Sequence, residues 1–345
     1  MPRPTVHDIA RHAGVSLATV DRVLNARPGV REATIQKVNQ AISRIGYVRD
    51  LTAANLARQR DYEFVFMLPD RPGGFTKQLR KVIDEVAAVS AIDRSQIRTQ
   101  LVPSSDPHAF VLELQKLDPS GLDGLAIIAP ETPHVRDAIH NLAEQGVPVV
   151  AIISDLPSSD IVQFVGINNA AAGGTAGRLM GSFVERTPSD ILVVAGSLQA
   201  REYVERRLGF DRIMADRFGH LNVLPTVEIW DDPDLLIRTV GRVLDRQSNI
   251  SGIYSLGVGN AGLLKLITER YDPKDPKAPV VIVHELTDVT RRGLMEERFA
   301  AVIAQDVGHV VRSAVRMMRA RSDGRGVLAS QEKIRIEVIV KENLS

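Results

Sequence analysis

The chain has 345 residues, enough for two or three domains each with its own core, and its 44% hydrophobic and 25% charged content is that of a globular rather than a disordered protein. It contains no cysteine, which excludes disulfides, thiol chemistry and cysteine-based zinc sites, and no run approaches the ~18 apolar residues a membrane helix needs. The net charge of +1 hides an asymmetry: residues 1–60 hold ten Lys and Arg against four Asp and Glu, so the remainder carries −5, the layout of a chain that presents one end to nucleic acid.

Residues 4–25 predict two short helices and a tight turn. Thr5 followed by Asp8 is a capping-box start, and Val6, Ile9, Ala10 and Ala13 fall on one face. Gly14 stands where the chain must leave the helix through a left-handed residue, and Ser16 caps a second helix whose Val20, Val23 and Leu24 point inward. That is a helix-turn-helix, a motif whose second helix enters the DNA major groove by its N-terminal residues. Ser16, Thr19 and Asn25 are short hydrogen bonders for phosphates, Arg22 suits guanine, and Leu17 and Ala18 suit thymine methyls. An ordinary helical hairpin in a core would not set so many polar groups around so small an apolar face. A third helix is expected over about Arg31 to Arg44, with Ile35, Val38, Ile42 and Ile45 inward and Gly46 as its stop. The alanine-rich stretch Asp50 to Arg60 is helix-prone but too short to be stable alone.

Residues 4–60 resemble the headpiece of the lactose-repressor (LacI/GalR) family of bacterial transcription regulators, matching at Thr5, Asp8, Ala13 to Ser16, Thr19, Val20, Arg22, Asn25, Thr34, Gly46, Tyr47 and Ala53 to Ala57. The resemblance adds Thr5, Thr34 and Tyr47 to the DNA-binding set. It also implies a hinge helix in the minor groove, with Leu56 as the wedge and Ala53 beside it. Two departures are Asp21, where the family usually has Ser, and Arg49-Asp50, where Pro-Asn is usual.

From Glu63 onward, apolar runs alternate with helical stretches. Strands are expected at 64–68, 100–102, 125–128 and 147–153, with helices at 76–89, 110–117 and 135–145 between them. After the connecting stretch 166–174 a second set follows, with strands at 191–195, 223–229, 252–254, 280–283 and 301–303 and helices at 178–183, 235–244 and 263–269. Such alternation makes doubly wound parallel sheets, here two lobes, with the cleft between them as the default ligand site.

This half resembles the type I periplasmic sugar-binding proteins, clearest at Gly146 to Val150, Gly166 to Asn169, Gly173 to Gly177, Glu205-Arg206 and Gln305-Asp306. The expected fold is therefore an all-α helix-turn-helix headpiece (1–49), a hinge (50–60) and an α/β two-lobed, periplasmic-binding-protein-like domain (61–345) that crosses between lobes near 168, 304 and 325. By position the resemblance implies a stacking Phe75, a polar Glu131, a clamping Arg206, an aromatic Trp230, and Asn260, Glu285 and Gln305 as effector-binding residues. Ser154-Asp155 replaces the Asp-Arg often found after the fourth strand, and Gly257 to Asn260 replaces an Asn-Asp turn, so the effector need not be a familiar monosaccharide.

A rival is the pattern Gly257-Val-Gly259-Asn-Ala-Gly262, which matches a dinucleotide loop after a strand, yet it lies late in the second lobe. His134 and His140 are six apart and share no helix face for a metal, and Ser197 lacks nucleophile-elbow spacing. The Arg-rich stretches 201–212 and 312–321 read as solvated helix faces. The expectation is a cytoplasmic regulator that is not an enzyme and has no cofactor or metal. It would be a repressor whose operator affinity is changed by a sugar-like effector, the alternative being a ligand-activated or corepressed regulator with a non-sugar or nucleotide effector. No leucine heptad follows the strand-like 334–340, so a homodimer on a pseudo-palindromic operator is expected.

Overall fold

The computed structural model of the protein describes residues 4–24, 28–45, 60–70, 73–103, 106–156, 162–230, 232–272, 274–326 and 332–344. The chain divides into two compact units, residues 1–60 and 61–345. In the first, helices α1 (Val6–Ala13), α2 (Leu17–Leu24) and α3 (Glu32–Ile45) surround a core of Ile9, Val20, Val38 and Ala41. Both halves of the capping box form, with Asp8 N–H donating to Thr5 Oγ1 and Thr5 N–H to Asp8 Oδ2. Gly14 has φ 64°, the left-handed exit that glycine adopts without strain, and its N–H donates to the Ala10 carbonyl. Ser16 Oγ accepts from Thr19 N–H at 3.2 Å and so starts α2. Val6 shares the face of Ile9, Ala10 and Ala13 but is 38% exposed and lies outside the cluster, because so small a core covers only the inner turns. Asn25, Gly46, Tyr47, Ala53 and Leu56 lie outside the described residues.

The second unit opens with β1 (Tyr62–Asp70), α4 (Gly74–Ser90), β2 (Ser95–Pro103), α5 (Pro107–Gln115), β3 (Gly124–Ile127), α6 (Pro133–Glu144), β4 (Val149–Ile152) and β5 (Gln163–Val165). They form a five-stranded parallel sheet in the order β2-β1-β3-β4-β5. Along β1 the side chains alternate between two cores, Phe64, Phe66 and Leu68 on one face and Val65 and Met67 on the other. A strand must be apolar where it is covered on both faces, as β1 is from Phe64 to Leu68.

The second sheet is built from β6 (Ser189–Ala195), β7 (Leu221–Val223), β8 (Val227–Glu228), β9 (Ile250–Ser255), β10 (Val280–His284), β11 (Ala301–Gln305) and β12 (Ile336–Ile339). Its order is β12-β11-β10-β9-β6-β7 with β8 also on β6, and β12 is antiparallel to β11. Helices α7 (Asn169–Phe183), α8 (Arg201–Arg217), α9 (Pro233–Arg246), α10 (Asn260–Arg270), α11 (Asp288–Met295) and α12 (Val307–Ser322) connect the strands. The chain changes lobe after β5, where α7 packs against β10 and β11, and again after β11, where α12 packs on β3 and β4. At the end of α12, Tyr62 Oη donates to Asp323 and Ser322 Oγ to Asp123, each at 2.8 Å, before β12 rejoins the second sheet.

Three sequence expectations need correction. The stretch 166–174 is not a connection beyond Asn168, because Asn168 Oδ1 accepts from Ala171 N–H at 2.8 Å and starts α7 at Asn169. The run 223–229 is two short strands rather than one, since Pro225 lies between them and has no N–H for a ladder. The Arg-rich helix α8 is not simply a solvated face: it buries Glu202, Tyr203, Arg206, Phe210 and Met214. Its close approach to α7 depends on glycine. A Cβ on Gly173 would run into the Arg206 carbonyl, and one on Gly209 into the Ala170 carbonyl.

Candidate functional site

In the first unit the N-terminal end of α2 presents Ser16, Leu17, Ala18 and Arg22 to solvent, with Thr19 half-buried, while Val20 behind them anchors the helix in the core. Leu17 at this position makes an exposed apolar leading edge. The Ser16 and Thr19 hydroxyls are 2.9 Å apart, and each keeps acceptor or donor capacity for a phosphate. Thr5, by contrast, spends its hydroxyl on Asp8 at 2.8 Å, and Thr34 lies half-buried in the first turn of α3.

In the second unit a polar network forms where strands end at their carboxyl edges, the position at which open α/β sheets bind ligands. Arg206, 2% exposed, donates from Nε to Asn169 Oδ1 at 2.9 Å, from Nη1 to the Leu256 carbonyl at 2.7 Å, and from Nη2 to Glu285 Oε1 at 2.8 Å. Gln305 Nε2 donates to the same Glu285 oxygen at 3.1 Å, and Asn169 Nδ2 donates to the Ile153 carbonyl at 3.1 Å. Burial works against the Arg206 charge, yet Glu285 above all, with Tyr254, Glu202 and Tyr203, more than offsets it, so the guanidinium holds its proton more firmly than usual. Burial likewise pushes the Glu285 carboxyl above the usual range, while Arg206 and Gln305 pull it back. Behind this pair the Tyr254 hydroxyl and His284 Nε2 are 2.7 Å apart. Burial, and secondarily Arg206, holds His284 well below its ordinary pKa, so it is neutral there.

Arg206, Glu285 and Phe75 line a narrow crevice of about 40 Å³, together with Ile153, Glu202 and Tyr203. That is far below the ~300–1,000 Å³ of small-molecule pockets. Sharing Pro69, Ile128, Glu202 and Tyr203 with it is a cavity of about 630 Å³, which falls within that range and carries Glu131 and Trp230 on its wall. The two form one cleft between the lobes. Glu131 of the first lobe meets Arg201 of the second at 3.1 Å, and Arg201 also binds Glu205 at 2.8 Å. Trp230 is 58% exposed on this wall.

Backbone strain concentrates here. Of five non-glycine residues with left-handed backbone among the described residues, Ile153 (φ 66°), Trp230 (φ 49°) and Glu285 (φ 68°) line the cleft. Each is held by its own N–H, which donates to Val165, Gly196 and Ile303 carbonyls respectively at 3.1, 2.8 and 2.9 Å. Such conformations cost of order 1–3 kcal/mol each and persist where the surroundings fix them, typically at binding sites.

The structure thus brings together six of the seven sequence-derived candidates: Arg206, Glu285, Gln305 and Phe75 at or beside the crevice, and Glu131 and Trp230 on the larger cavity. Asn260 is placed elsewhere. Its amide accepts from Ser255 Oγ at 2.8 Å and donates to the His284 carbonyl at 3.1 Å, which ties the β9 turn to β10, and it lines neither cavity. The glycine pattern at 257–262 does join a strand to a helix, but a Cβ at Gly259 would meet Ile229 and Leu236, and one at Gly262 the Pro233 carbonyl. Those glycines serve packing by the protein itself, not a phosphate. Sequence reasoning missed Asn169, Glu202 and Tyr203. The signal was available for two of them, because Glu202 and Tyr203 lie four and three residues before Arg206 on one helical face. Among the described residues no three His, Cys, Asp or Glu side chains are grouped to hold a metal, and no helix is long and apolar enough to cross a membrane.

Comparison with known proteins gives two family matches: residues 5–50 to the bacterial regulatory proteins of the lacI family, and residues 64–326 to the periplasmic binding protein domain. Catabolite control protein A of Priestia megaterium is 25% identical over 213 residues, 61% of each chain, so this alignment spans about three-fifths of that relative. The sucrose operon repressor of Vibrio alginolyticus is 39% identical over 95 residues, 27% of this chain and 98% of that sequence. Among solved structures, a solute-binding protein of Burkholderia graminis in complex with D-arabinose superposes with a TM-score of 0.74 at 22% identity, covering 83% of this chain and 97% of that one.

Proposed function

Because the chain belongs to the lacI family of bacterial regulatory proteins and carries a periplasmic-binding-protein domain, we propose that it is a DNA-binding transcription regulator, a repressor, whose operator affinity is set by a small sugar-like effector in the interlobe cleft. The observation that carries the reading is the coexistence of two built surfaces. One is the exposed leading edge of α2, backed by buried Val20; the other is a 630 Å³ cleft whose wall holds strained, exposed Trp230. Within the cleft the guanidinium is paired with a carboxylate, and Ser197 Oγ accepts from Gln199 N–H at 3.2 Å.

Two copies related by a two-fold axis would meet a pseudo-palindromic operator in the cytoplasm, with α2 of each in a major groove. Ser16, Thr19 and Asn25 would bind phosphates, as Thr5, Thr34 and Tyr47 would by family position, while Leu17, Ala18 and Arg22 read bases. Leu56 and Ala53 would occupy the minor groove at the centre. The effector would bind one arrangement of the lobes better than another, and that difference would bias hinge formation on DNA. Phe75 and Trp230 would stack on it, with Glu131, Arg206, Glu285 and Gln305 recognising its polar groups. Trp230→Ala tests this in the full-length protein, being exposed enough to spare the fold. A ligand that alters operator binding by the parent should do so several-fold more weakly in the variant, with ligand-free operator binding unchanged. An unaltered ligand response would remove Trp230 from the site.

A further inference from the structure

The charge of the cleft narrows the class of ligand. Its described lining holds three carboxylates, Glu131, Glu202 and Glu285, against one guanidinium, Arg206, and no lysine or histidine. Arg206 is matched by Glu285 at 2.8 Å, and the nearby Arg201 is held between Glu131 and Glu205 at 3.1 and 2.8 Å. Counting Arg201 and Glu205 with the lining leaves the same excess of two negative charges. A phosphate or carboxylate entering the cleft would therefore meet carboxylates whose cations are already engaged, in surroundings too apolar to screen them well.

The remaining features call for donors. Gln305, 5% exposed, gives its Nε2 to Glu285, and its Oε1 is buried with no hydrogen-bond partner. A carboxylate only accepts, so the crevice wall of Glu202 and Glu285 is likewise an acceptor surface. The larger cavity carries an apolar wall of Pro69, Pro103, Pro107, Pro130 and Phe110, faced by Trp230, beside the polar Glu131, Thr132, Ser197 and Gln199. Those surfaces suit a ring with an apolar face. Shape and polarity thus agree on one end stacked against apolar walls and another end rich in N–H or O–H.

We infer that the cleft selects a polyhydroxylated or amine-bearing ring compound with no anionic group, and rejects phosphorylated and carboxylated relatives of the same ligand. This rests on the cleft being the effector site. The test is calorimetric titration of the full-length protein with matched series: neutral monosaccharides and polyols, the corresponding amino sugars, the sugar phosphates and the uronic acids. A neutral or amino compound should bind at least about tenfold more tightly than its phosphate and its uronate, the scale of one unfavourable unit charge at these distances. Glu131→Gln, at a partly exposed position, should narrow that gap and leave the unfolding midpoint unchanged. A phosphate or uronate that binds as tightly as its neutral parent overturns the charge selection while upholding the effector site. Failure of every series to bind removes the effector site, and the selection with it.

Discussion

Arg206 shows how much a single buried charge can organise. Three of its N–H groups are matched by an amide, a carbonyl and a carboxylate from three different elements, so it ties α7, the β9 turn and the residue after β10 together. Its removal would leave Glu285 buried without its counter-ion, which costs about 3–5 kcal/mol in such pairs. Arg206→Ala should lower the unfolding free energy of the body by that order in urea titration, and Arg206→Met with Glu285→Leu should recover most of it. Equal loss in both would mean that packing rather than charge is at issue. His284 gives a pH dependence. Its folded pKa lies below the unfolded value of about 6.5, so its stabilising contribution is present above that pH and is lost as pH falls toward the folded value. The raised Glu285 acts in the opposite sense, contributing stability below the ordinary carboxylate range that is lost as pH rises through its folded pKa. Wild type should therefore lose up to about 1.4 kcal/mol per pH unit below pH 6.5 relative to His284→Gln. Parallel stability–pH curves for the two proteins would contradict this assignment.

At the scale of elements, the pairing of α7 with α8 decides where Arg206 sits. Gly173→Ala should cost about 1–3 kcal/mol, since α8 must move away to admit the methyl group, and ligand affinity should fall with it. A stable variant with unaltered affinity would show that the contact has slack. This pairing was also the least legible part of the sequence. The strands announced themselves as apolar runs, and the head as Thr5-x-x-Asp8, Gly14 and Ser16, because caps and turns are local chemistry. Gly173 and Gly177 lie outside the helix expected at 178–183, and Gly181 within it, whereas all three belong to α7. They form a helix face only because bulky residues of α8 and the turn after it lie against them, Phe210 and Phe218 among them, and sequence periodicity carries no record of that partner. Candidate residues following strands, such as Glu131 and Glu285, which line the cleft, could be read by position. Asn260 could not, because whether an amide faces a cleft or ties two turns together depends on the neighbours Ser255 and His284. The positive φ of Ile153 is likewise invisible in a β-branched residue that sequence rules would keep extended.

At the scale of the whole molecule, a basic head of 1–60 and a body carrying −5 share one chain, so the body should not itself hold DNA. If residue 56 acts as a wedge, Leu56→Ala should weaken binding to the operator more than binding to random DNA, because unstacking serves only the specific complex. Equal losses on both would leave Leu56 a packing residue. The most direct test of the account is selection of bound fragments from a randomised DNA pool by the full-length protein, followed by sequencing. A dimer that reads sequence retains a shared pseudo-palindrome with a fixed centre; retention of DNA without any common sequence would refute this, since the head would then bind charge alone.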